Sequence, residues 1–60
     1  MEKINALVEE IKTLTENFMT EAASNLEGNK AAGRRARKAT LELTKLFREY
    51  RIATIKEEKA

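Results

Sequence analysis

The sequence predicts an all-α protein, a two-helix antiparallel hairpin, and three observations carry that prediction. The 60 residues contain no Pro, two Gly and three aromatics, a composition that favours helix and gives little support to a small β fold. Apolar residues recur at helical spacing through two long stretches. One turn signal, Gly28-Asn29, separates them.

The first stretch is an amphipathic helix from about residue 2 to 27. At 100° per residue Ile4, Leu7, Val8, Ile11, Leu14, Phe18, Met19, Ala22 and Leu26 fall on one arc of about 140°. Glu9, Glu16, Thr20, Ser24 and Glu27 take the other side. Gly28 then suits the left-handed residue that ends a helix, and Asn29 suits the cap of the next.

The second helix is expected over about residues 30–57. Its stripe is Ala32, Ala36, Ala39, Leu43, Leu46, Phe47, Tyr50 and Ala53, small near the turn and bulky toward the far end. Leu41, Ile52 and Ile55 form a sparse second set on roughly the opposite side. The final residues, 56–60, are expected to fray. A turn of two residues, 28–29, folds the helices back on one another, each roughly 35–45 Å long at 1.5 Å per residue.

The chain is a single domain, 1–60, near the lower size limit for independent folding. In one hairpin each stripe has only one other helix to cover it, so one flank stays wet. Dimerisation into a four-helix bundle is the economical remedy. Phe18, Met19, Phe47 and Tyr50 are read as core packing rather than as a cofactor site.

The net charge of +2 conceals an asymmetry: residues 1–29 hold two Lys and six Glu, residues 30–60 ten Lys plus Arg and four Glu. The segment from Gly28 to Lys38 carries Lys30, Arg34, Arg35, Arg37 and Lys38 without an acid. Cations at a helix N-terminus oppose the macrodipole by a few tenths to about 1 kcal/mol each. Gly33 adds about 1 kcal/mol of propensity cost relative to Ala. A sequence shaped for stability alone would place acids here. Added cations make the same helix end a phosphate site, with Lys45, Arg48 and Arg51 as secondary contacts along the helix. Gly33 reads as a concession to close approach of a nucleic-acid backbone. The competing readings are a solvated face, partly neutralised by Glu21 and Glu27 of the first helix, and a hairpin that binds an acidic or amphipathic protein.

Other classes find little support. There is no Cys and no His, which removes thiolate metal sites, the commonest metal ligand and the commonest general base. Glu9/Glu10 and Glu57/Glu58 are sequence neighbours that point about 100° apart on a helix and read as solvated. No phosphate-loop, dinucleotide, zinc or calcium spacing occurs. No catalytic residue, cofactor, metal or small-molecule substrate is expected, and the protein is not read as an enzyme. No apolar run approaches the ~20 residues of a membrane span, and the first residues lack the pattern of a secretory signal. A cytoplasmic location is expected, with no membrane partner. No aromatic interleaves with the cations and no Asn or Gln sits among the arginines, so phosphate contact to duplex is the simplest nucleic-acid mode.

The run Gly28-Asn29-Lys30-Ala31-Ala32, followed by Arg35, Arg37, Leu43, Lys45, Tyr50-Arg51, Ile55-Lys56 and Glu58-Lys59, resembles the N-terminal domain of the chlamydial linker-histone-like nucleoproteins. The likeness covers about half the chain without a gap, and the first helix is similar only in general character. The resemblance implies a bacterial, nucleoid-associated, histone-like protein that compacts DNA with little sequence preference. It also implies a long Lys- and Ala-rich tail, and this sequence, stopping at Ala60, looks like a tail-less relative.

Overall fold

The structure, a computed structural model, describes residues 2–59. Two helices, α1 (Glu2–Leu26) and α2 (Lys30–Lys59), lie side by side as an antiparallel hairpin with Cα extents of 48 × 15 × 11 Å. No strand is present among the described residues. The segment 56–59, expected to fray, continues α2, and Ala60 lies outside the described residues.

The turn is closed by local chemistry. Gly28 sits at φ +108°, where a side chain would be strained. Its N–H donates to Asn25 O at 2.9 Å, and the Asn29 N–H donates to Ser24 O at 3.2 Å. This pair of bonds is a Schellman closure of α1. Asn29 then caps α2, its Oδ1 accepting from the Ala32 N–H at 3.0 Å. Its carbonyl accepts from the Gly33 N–H and from Asn25 Nδ2. One residue thus satisfies groups of both helices.

The helices meet along a seam with a seven-residue rhythm. In heptad letters, α1 offers Ile4, Ile11, Phe18 and Asn25 at a, and Leu7, Leu14 and Glu21 at d. α2 offers Ala36, Leu43 and Tyr50 at a, and Ala32, Ala39, Leu46 and Ala53 at d. Such spacing keeps a seam aligned by gentle left-handed supercoiling. Every buried apolar residue stands at one of these positions. Ile4, Leu7, Leu46 and Ala53 form the main cluster, with Ile11 and Leu14 packed against it. Toward the turn the layers shrink to Ala39, Ala36 and Ala32, and the α1 side becomes polar at Glu21 and Asn25.

Two expectations are corrected here. Phe18 is half-buried, but Met19 is 61% exposed, and Phe47 and Tyr50 are also exposed. Met19 and Phe47 flank the seam of the hairpin, and Tyr50, at a seam position, is left 36% exposed at its edge. Gly33, expected to face a ligand, is buried: a β-carbon there would stand 2.6 Å from Asn25 Nδ2. Its smallness makes room for the first helix, so packing accounts for it.

Candidate nucleic-acid interface

In an antiparallel pair the e positions of both helices share one flank of the seam and the g positions share the other. The letters therefore sort every remaining side chain. The g flank is polar and charged, with Lys3, Glu10, Asn17 and Ser24 on α1 and Arg35, Glu42, Glu49 and Lys56 on α2. Open grooves along it are lined by Asn17, Glu21, Arg35 and Glu42 near the turn, and by Lys3, Glu49 and Lys56 near the far end. The outer face of α2 consists of its b, c and f positions.

That outer face is cationic and free of acid from Lys30 to Ile55. It carries Lys30, Arg34, Arg37, Lys38, Lys45, Arg48 and Arg51, all exposed. Lys38 and Lys45 stand at its edge, bordering the grooves beside Glu42 and Glu49. Among the described residues none of these seven is in an ion pair. From Lys30 to Arg51 the face runs roughly 32 Å at 1.5 Å per residue. Leu41, Ile52 and Ile55 interrupt it, each exposed. The α2 acids Glu42 and Glu49 are turned to the g flank instead. The outer line of α1 holds Glu2, Glu9 and Glu16, so the two backs of the hairpin carry opposite charge.

Arg35 differs from the other cations singled out by the sequence. Its Nε donates to Glu21 Oε2 across the seam, with the Glu21 side chain only 17% exposed. This hydrogen bond and the carboxylate charge raise the Arg35 pKa above its ordinary value. The guanidinium is thus already held by the protein. The helix end is also partly occupied. Of the four N–H groups that open α2, counted from its cap, the cap residue Asn29 uses its own on Ser24 O, and Ala32 donates to Asn29 Oδ1. The exposed cations run along the length of the outer face as well as at the helix terminus.

No group of three or more His, Cys, Asp or Glu able to hold an ion occurs among the described residues, and none of their buried side-chain polar atoms lacks a hydrogen-bond partner. No described helix is long and apolar enough to cross a membrane.

Among known proteins, a family model described as histone H1-like protein Hc1 matches residues 5–60. No curated protein and no solved structure matches.

Proposed function

The chain belongs to the histone H1-like protein Hc1 family, and from that premise we propose that it is a histone-like protein that binds duplex DNA through phosphates and helps compact the bacterial nucleoid. The observation that carries the contact surface is the acid-free outer face of α2. Lys30, Arg34, Arg37, Lys38, Lys45, Arg48 and Arg51 lie along it, exposed and without ion-pair partners among the described residues. Such a face meets a line of phosphates and releases counterions, and it carries no Asn or Gln of the kind that reads adenine. The protein acts as a homodimer, because the hairpin leaves large apolar residues such as Met19 and Phe47 exposed. No catalysis or cofactor enters this reading.

A titration of unrelated duplexes at several salt concentrations tests it. Equal affinities are expected, with log K falling linearly against log salt by about 0.9 per phosphate neutralised. Arg34→Gln lowers that slope and weakens all duplexes alike. Arg35→Gln changes it less, because Glu21 already holds that guanidinium. No duplex binding at about 50 mM salt, where phosphate contacts are strong, overturns the proposal and leaves a protein-interaction module.

A further inference from the structure

The flank opposite the grooves has a character of its own. Its seven e positions are Val8, Thr15 and Ala22 on α1 and Gly33, Thr40, Phe47 and Thr54 on α2. None is ionisable, whereas six of the eight g positions are. Five of the eight exposed large apolar residues border this flank: Val8, Met19, Leu26, Phe47 and Tyr50. Its polar atoms on α2 are already satisfied within the helix. Thr40 Oγ1 donates to Arg37 O and Thr54 Oγ1 to Tyr50 O, so the flank can be dried without leaving those donors unpaired. The broad side of the hairpin, 48 by 15 Å, presents roughly 700 Å², close to the ~800 Å² per partner of a standard stable interface.

We infer that this flank is covered by a second copy of the chain, with both turns at the same end and the two α2 outer faces pointing in opposite directions. A two-fold dimer needs a self-complementary patch, and an uncharged one meets its own copy without repulsion. The rims decide the orientation. At b, α2 carries Lys30, Arg37, Thr44 and Arg51, whereas α1 carries Asn5, Lys12, Met19 and Leu26. With the turns at opposite ends, α2 lies over α2, and three cations face three cations along one rim. With the turns together, α2 lies over the α1 of the second copy, so that the Arg37 stem meets Met19 and the Lys30 stem meets Leu26. Val8 of one copy then stands level with Phe47 of the other. The charge pattern selects this second arrangement. Resting on the DNA-binding reading above, its consequence is a unit that bridges two duplexes rather than lining one.

Two measurements test the pairing. The sequence has no Cys, so a spin label on Glu27→Cys, exposed at the turn, reports one distance per dimer. Turns together give a separation near the width of the bundle, about 20–30 Å for four packed helices; turns apart give one near the 48 Å length of the hairpin. The short distance supports the inference; the long one, or a monomer at micromolar concentration, overturns it. Thr15→Lys then places a charge on the flank at an exposed position of α1, where the hairpin itself tolerates Lys. Wild-type protein bound to an immobilised duplex is expected to capture a second, labelled duplex. Thr15→Lys is expected to sediment as a monomer and retain single-duplex binding while losing at least tenfold in capture. Dimerisation and capture that survive Thr15→Lys overturn the inference. A short label distance without duplex binding supports the pairing and counts against the DNA-binding reading alone.

Discussion

A β-carbon on Gly33 would press on the amide of Asn25, and that amide is already donating to Asn29 O at 3.1 Å. Two effects of similar size therefore oppose each other in Gly33→Ala. The helix gains about 1 kcal/mol of propensity, and it loses a hydrogen bond worth roughly as much. We expect the substitution to move stability by less than about 0.5 kcal/mol in the native protein and to add about 1 kcal/mol in an Asn25→Ala background. Urea unfolding of the four proteins at one concentration checks this. A full gain in the native background would show that Asn25 yields freely. The sequence shows only a glycine near a helix start, and its neighbour across the seam is visible only after folding. Arg35 is similar. Its charge is legible, and Glu21 is a foreseeable partner, but only the register selects it over Arg34 or Arg37.

At the scale of elements, the turn is the most legible part of the chain because its chemistry is local. Gly28 at positive φ and Asn29 as a cap follow from residue type alone, and both are found. No side chain crowds Gly28, so the cost of replacing it is purely one of backbone conformation. Gly28→Val is expected to lose more than about 1 kcal/mol, and Gly28→Asn distinctly less, since Asn tolerates left-handed backbone better. Equal losses in thermal unfolding would place the constraint elsewhere. The sides of the helices were less legible. Steps of 100° drift by about 20° per heptad relative to a supercoiled seam, so across α2 the apolar stripe blurs into its flanks. That drift put Met19 and Phe47 in the core by sequence. The finer signal was present in the regular spacing of Ala32, Ala39, Leu46 and Ala53, and a 3.5-residue period would have found it.

The whole molecule is organised by the sorting of charge around two antiparallel helices. The halves of the sequence announce an acidic helix and a basic one, and the hairpin puts their backs on opposite sides. Glu42 and Glu49 decide how clean that division is. In sequence they sit among the α2 cations, and on the helix they turn to the groove flank, leaving the outer face without an acid. The cations proposed to contact phosphate were legible as residue types. Their arrangement along a whole face was not, since it depends on where the seam lies. A transverse field of this kind favours approach to a polyanion with α2 leading.

The shrinking layers of the seam also bear on how quickly the protein folds. Near the turn, contacts join residues close in sequence, so the loop entropy of making them is small. Yet those layers are Ala39, Ala36 and Ala32, which bury little apolar surface. The larger side chains of Ile4, Leu7 and Leu46 meet only when most of the chain has been brought together. The rate-limiting structure therefore extends past the alanines to the middle of the seam, where Leu14 and Leu43 stand. Stopped-flow folding at fixed protein concentration should find that Leu43→Ala slows folding, whereas Ile4→Val chiefly speeds unfolding. The hairpin begins most easily where its contacts reward it least, and the barrier is crossed halfway along its length.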